Sequence, residues 1–203
     1  MRFTLISVAA EYIASKAERM NYEVGFWNGN HARTVRHNCA VVETTGGFTS
    51  AGLALEAKTL ELPSLSHKEA IEIGEIALDL GFDRNVAIAV EVRLKDWTVF
   101  HASLPGTSAD NDSWIARKAR VVLATGNSTM FERVLAEEQG IDWYATHGLP
   151  EETHAIHGGG LPLNVAGYGC MGVLLISGLP QVQDHLLGVE VLTEFLARKG
   201  ELP

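Results

Sequence analysis

The chain has 203 residues, 46 % hydrophobic and 20 % charged, which excludes a disordered, collagenous or disulfide-scaffold protein. That length suits one domain with a sizeable core, or one domain and an extension. The formal net charge is −9, and residues 1–50 hold five basic against four acidic residues, so the acidic excess lies in residues 51–203. Such a surface repels phosphate backbones and offers no polybasic stripe to lipid, so neither nucleic acid nor membrane is an expected partner.

Cys39 and Cys170 are two widely separated thiols, a pattern that makes no metal motif and fits a reducing cytoplasm. No run approaches the length of a membrane span. The start of the chain has only a short apolar core and Glu11 interrupts the expected cleavage region, which disfavours a secretory signal.

In chain order, Leu5, Val8, Ala9, Tyr12, Ile13, Ala17 and Met20 recur at helical spacing and predict a first helix. Loop signals follow around Trp27 to His31 and again at Thr44, Thr45, Gly46 and Gly47. Residues 1–50 are read as an N-terminal extension, poorly specified by sequence, and residues 51–203 as the domain. Ser66 and Glu69 form a capping box that opens a helix whose apolar face is Ala70, Ile73, Ala77 and Leu80. Gly81 is expected to close it in a left-handed conformation. Residues 86–94 alternate and are rich in β-branched side chains, and residues 97–102 read as their hairpin partner across Lys95 and Asp96.

A polar loop, 105–112, leads to a helix capped by Asp110 or Asn111 and running through Leu123. Asn127 is expected to cap the next helix, which Gly140 ends. Residues 152–157, 162–167 and 170–177 read as three short strands, and a last helix runs from near Pro180 to Lys199. The order predicts a mixed α/β (α+β) fold: a five-stranded, mostly antiparallel sheet with helices packed on it.

Several motifs invite chemistry. Gly167-Tyr168-Gly169-Cys170-Met171-Gly172 spells G-x-G-x-x-G, but a strand follows where a dinucleotide site needs a helix, so a hairpin is the better reading. His157-Gly158-Gly159-Gly160 resembles an oxyanion loop, yet no G-x-S-x-G elbow accompanies it. The run suits either a tight turn or an anion held by bare N–H groups. His147, His154 and His157 are close in sequence, but a strand would turn His154 and His157 to opposite faces, a poor metal pair. On the helix after residue 109, Ile115, Ala119 and Val122 make the core face. Trp114, Arg117 and Lys118 come together at spacings of three and four. A flat aromatic beside two cations suits a planar, carboxylate-bearing ligand or a subunit interface, and both readings stay open. In the last helix Val182, Leu186, Val189, Leu192 and Leu196 form the apolar stripe, and His185 falls within it.

Phe100-His101, Gly106-Thr107, Asp110-Asn111, Trp114, Arg117-Lys118, Gly158-Gly159-Gly160-Leu161-Pro162, Ser177-Gly178-Leu179-Pro180 and Asp184-His185 together resemble the HbpS/GlcG-like haem-degrading domain family. They look most like its branch of small, uncharacterised bacterial and fungal proteins, and the resemblance covers roughly residues 60–200. It implies a profilin-like layered α-β-α sandwich, a homo-oligomer, and haem or a related tetrapyrrole as the small-molecule ligand, with haem degradation in some relatives. On that reading His101, Thr107, Asn111, Trp114, Arg117, Lys118, Gly158, Gly159 and Gly160 line the ligand site. Arg117 and Lys118 pair with propionates, and one of His101, His157 or His185 approaches the iron. Neither a catalytic residue nor a metal-ligand set is mapped. The other reading is a non-catalytic homo-oligomeric scaffold or partner-binding protein.

Overall fold

The computed structural model of the chain describes residues 45–200. The helix expected near residues 5–20, the loop signals around Trp27 and Cys39 lie outside the described residues. The elements run α1 Ser50–Thr59, α2 His67–Asp83, β1 Ala89–Leu94, β2 Trp97–Ser103, α3 Ala109–Thr125, α4 Thr129–Gln139, α5 Trp143–His147, β3 Gly160–Val165, β4 Gly169–Ser177 and α6 Gln181–Arg198. The sheet has four antiparallel strands in the order β2-β1-β4-β3. The expected fifth strand is absent: residues 152–157 form a turn and an irregular run. Two of their carbonyls face side chains of α3 rather than a neighbouring strand, Thr153 accepting from Arg120 and His154 from Arg117, which also holds the preceding Glu151 carbonyl.

Alternation along the strands sorts the core into two faces. Ala89, Val173 and Leu175 meet Ile115, Ala119 and Val122 of α3. Val90, Val92, Phe100, Leu161, Leu174 and Ile176 lie on the opposite face, which α2 and α6 cover. Helices therefore pack on both sides of the sheet. Two glycines set how closely they approach. A Cβ on Gly74 of α2 would stand 2.3 Å from the Phe100 ring, and one on Gly188 of α6 would stand 2.4 Å from Leu161. Leu62 makes a parallel bridge to Val165 and so covers the outer edge of β3.

Local signals were partly as expected. The Ser66–Glu69 capping box is present at the start of α2. Gly81 does not end that helix: it is buried inside it against Leu104 and Ile88, and α2 continues to Asp83. Ser108, rather than Asp110 or Asn111, caps α3, with Asn111 as the reciprocal member of the box. Ser128, not Asn127, caps α4. Gly126 and Gly140 take left-handed conformations at the ends of α3 and α4. The G-x-G-x-x-G run is the β3–β4 hairpin, with positive φ at Gly167 and Gly169. Gly172 lets the Arg93 carbonyl approach to 2.4 Å of where a Cβ would be.

The contact at Gly74 generates a prediction. Gly74→Ala forces a methyl group into Phe100 and lowers stability by about 1–3 kcal/mol, read as a fall in the urea midpoint. Adding Phe100→Leu restores part of that loss. Equal midpoints for Gly74→Ala and the wild type would contradict this packing.

Candidate functional site

The start of α6, the end of β4 and one face of α3 enclose an open cleft of about 260 Å³. Asn111, Trp114 and Lys118 line it from α3, Ser177, Gly178 and Leu179 from the strand end and turn, and Gln181 and Asp184 from α6; His157 completes the wall. The order β4, tight turn, α6 brings the beginning of α6 back over the sheet, which is how Asp184 reaches α3.

Lys118 lies on the same helical stripe as Ile115, Ala119 and Val122, so its ammonium enters the core side of α3. It is only 2 % exposed. Its Nζ donates to the Ile176 carbonyl at 2.7 Å and to Asp184 Oδ2 at 2.9 Å. Asp184 Oδ1 accepts the Leu179 N–H at 2.9 Å, and the Gly178 backbone also bonds this carboxylate. Burial lowers the Lys118 pKa and raises that of Asp184, and each partner's charge opposes the shift of the other. An ammonium has three donors, and these two bonds leave one for the cleft.

Gly158, Gly159 and Gly160 form the wall behind this pair. Gly159 has φ +105, and a Cβ there would meet the Ile176 carbonyl at 2.4 Å and Lys118 Nζ at 2.9 Å. A Cβ on Gly158 would meet the Gln181 carbonyl at 2.1 Å. Gly160 donates its N–H to Thr129 Oγ1, and the Gly159 carbonyl accepts from Ile176. The glycine run therefore serves close packing against the ion pair and the start of α6.

His157 meets the Trp114 ring edge-on at 4.8 Å. Its Nδ1 is buried and has no hydrogen-bond partner among the described residues. Burial, with the charges of Arg133, Lys118 and Arg117, pushes its pKa down to about 4. The imidazole is thus neutral at pH 7, the form that ligates metals. The guanidinium of Arg117 lies 4.5 Å from the centre of the Trp114 ring. Its Nη2 is directed to the Glu151 carbonyl at 2.7 Å, so this cation anchors the 151–154 turn.

Of the residues singled out in the sequence, Asn111, Trp114, Lys118 and His157 converge, with the three glycines behind them. The others lie elsewhere. His101 faces Glu91 at 3.1 Å and Asp112 at 3.5 Å. Thr107 bonds the Leu104 carbonyl in the turn before α3. His185 is fully buried, with Nε2 at 2.8 Å from Glu56 and its ring edge-on to Phe48. His147 and His154 each bond nearby backbone carbonyls, and no cluster that could hold a metal ion occurs among the described residues. Asp184 is the member that sequence reading left out. Its signal was an acid on the stripe of Gly188, Val191 and Phe195, opposite a lysine on the stripe of α3.

Two predictions follow from this geometry. Gly159→Ala strains the backbone and crowds Ile176 and Lys118, which lowers stability by about 2 kcal/mol or more; an unchanged urea midpoint would contradict it. The second concerns pH. The folded pKa of His157 (about 4) lies below the ordinary 6.5, so the unfolded chain takes up the proton first as pH falls. Stability from this group is complete above 6.5 and is lost progressively as pH falls towards about 4. His157→Gln flattens that part of the stability–pH curve, measured by urea midpoints across the window. An acid limb of unchanged steepness would contradict the assignment.

The comparisons with known proteins agree with one another. Residues 65–193 match the family described as "Haem degrading protein HbpS-like". A "UPF0303 protein" of Streptomyces avermitilis is 37 % identical over 146 residues, covering 72 % of this chain and 90 % of that protein. A "UPF0303 protein RL3365" of Rhizobium johnstonii is 36 % identical over 146 residues, with 72 % and 90 % covered. Among solved structures, the Ybr137w protein superposes with a TM-score of 0.69 at 23 % identity, over 76 % of this chain and 91 % of that one. The chain in a PduOC–haem complex superposes with a TM-score of 0.56 at 18 % identity, over 64 % and 94 %. These two likenesses establish a shared fold. With a family match over residues 65–193 and relatives aligned along most of their own length, the chain belongs to the HbpS-like haem-degrading protein family.

Proposed function

We propose that the protein binds haem or a related tetrapyrrole at the cleft around Trp114 and His157. The observation that carries this reading is His157: an imidazole held neutral largely by burial, edge-on to the Trp114 ring in the wall of an open cleft. Family membership and the haem held by the PduOC relative support the choice of ligand.

The residues present fit such a group in kind. His157 would be the iron ligand, Trp114 would contact the ring system, and the spare N–H of Lys118 would meet a carboxylate. Arg117, engaged with the 151–154 turn, would act by holding Trp114 in place. The cleft, at about 260 Å³, is smaller than the roughly 300–1,000 Å³ of sites that enclose small molecules, so one protomer would cover only part of a tetrapyrrole. Haem, when bound, supplies iron-centred oxygen chemistry, and degradation would belong to that chemistry. The chain would bind, orient and exclude water.

The same reading takes residues 51–203 as one profilin-like domain behind an N-terminal extension, working in the cytoplasm as a homo-oligomer. No helix among the described residues is long and apolar enough to cross a membrane. A second reading, a non-catalytic homo-oligomeric scaffold, is favoured by a different observation. The outer edge of β2 has no neighbouring strand among the described residues, and Trp97 at its start is 59 % exposed.

A haem titration of the full chain separates the two. Binding at this cleft predicts a saturable Soret shift, weakened by about tenfold or more in His157→Ala, which is about 1.4 kcal/mol or more, and little changed in His101→Ala. Loss of the Soret band under oxygen and ascorbate would add degradation. No saturable shift, or equal affinity in His157→Ala, would overturn haem binding at this cleft. A scaffold predicts an oligomer that Trp97→Glu dissociates and haem leaves untouched.

A further inference from the structure

A second cavity, of about 520 Å³, opens between the end of α3, α4 and α5 and shares no lining residue with the cleft. Its volume is in the range of small-molecule sites. Most of its wall is neutral, including Leu135, Ala136 and Ile141, and neither lysine nor arginine lines it. One carboxylate does: Glu132, 3 % exposed.

How Glu132 is bonded decides what it can still do. Its Oε1 accepts from Asn127 Nδ2 at 2.8 Å, and its Oε2 accepts from the Trp143 indole Nε1 at 2.7 Å. Both partners are neutral donors, and both carboxyl oxygens act as acceptors. Each oxygen keeps acceptor capacity. No ion pair to Glu132 occurs among the described residues. The residue sits in the first turn of α4, where the helix dipole offsets part of its charge. His147 stacks on Trp143 at 4.3 Å, so an aromatic wall stands beside the carboxylate.

A buried carboxylate repels anions, and the absence of a metal-binding cluster among the described residues disfavours a metal ion. A donor-bearing cation with an apolar tail matches what remains: charge for Glu132, N–H donors for its free lone pairs, and Leu135 and Ile141 for the tail, with the exposed His147 ring beside it. We propose that this cavity is a binding site for a small alkylammonium compound, recognised by Glu132 against the Trp143–His147 wall. It is independent of the haem reading, since it uses neither His157 nor Trp114.

The test uses n-butylammonium on the full chain labelled with 5-fluorotryptophan. The Trp143 resonance, assigned by its loss in Trp143→Phe, reports the indole that bonds Glu132. The expected result is a saturable shift of that resonance, about tenfold weaker in Glu132→Gln and absent with the isosteric neutral n-butanol. Ala124→Phe, which narrows the exposed rim without replacing the carboxylate, is expected to weaken binding as well. Equal shifts with butanol, unaltered affinity in Glu132→Gln, or no saturable shift at millimolar amine would each overturn the proposal. If Glu132→Gln does not fold, wild-type affinity in Ala124→Phe overturns it.

Discussion

A lysine ammonium and an aspartate carboxylate sit against each other, out of water, where α3 meets the start of α6. Removing two charges from water is costly, and the attraction between Lys118 and Asp184 offsets that cost only because each also bonds backbone groups. Lys118 reaches the Ile176 carbonyl at the end of β4, and Asp184 reaches the backbone of the following turn. One pair thus ties a helix on one face of the sheet to the first turn of a helix on the other. The glycine run is the consequence: a Cβ at Gly159 would collide with the atoms this pair holds in place. Asn111, bonded to the Ser177 carbonyl at 3.3 Å, adds a second tie from α3 to the same strand end.

The cleft inherits its character from that pair. Its floor is polar yet rigid, because the charges are bonded to backbone. Burial, with the charges of Arg133, Lys118 and Arg117, depresses His157, so a ring that would otherwise share a proton near neutrality is held as a free base. Arg117 contributes charge to that shift while its own bonds secure the turn carrying His154 and Ala155. A neutral imidazole and an aromatic ring thus stand side by side in the wall of the cleft. Its modest volume means that a large planar ligand would extend beyond it.

Much of this was legible from residues at local spacing. The Ser66–Glu69 box, the β1–β2 hairpin, the Gly126 and Gly140 stops and the grouping of Trp114 with Arg117 all depend on neighbours a few positions away. The misreadings share a cause. Residues 152–157 look like a strand because Ala155 and Ile156 are apolar, yet the Thr153 and His154 carbonyls are claimed by arginines of α3, a tertiary choice. Gly81 looks like a stop because the packing of Leu104 against it is invisible in sequence. The helix α1 carries no amphipathic period, with only Leu53 buried, so nothing marked it. Lys118 was read as a cation for a ligand or a subunit interface, although its place on the Ile115–Ala119–Val122 stripe pointed inward. Only its partner, 66 residues away, explains how a charge is tolerated there.

The dependence of the cleft on this pair is most directly measured by a double-mutant cycle on folding stability with Lys118→Met and Asp184→Asn. Each single change leaves one buried charge unpaired and should cost about 3–5 kcal/mol. The double variant, with neither charge, should lose far less than the sum. Losses that add to within about 0.5 kcal/mol would contradict the account, because independent sites behave that way.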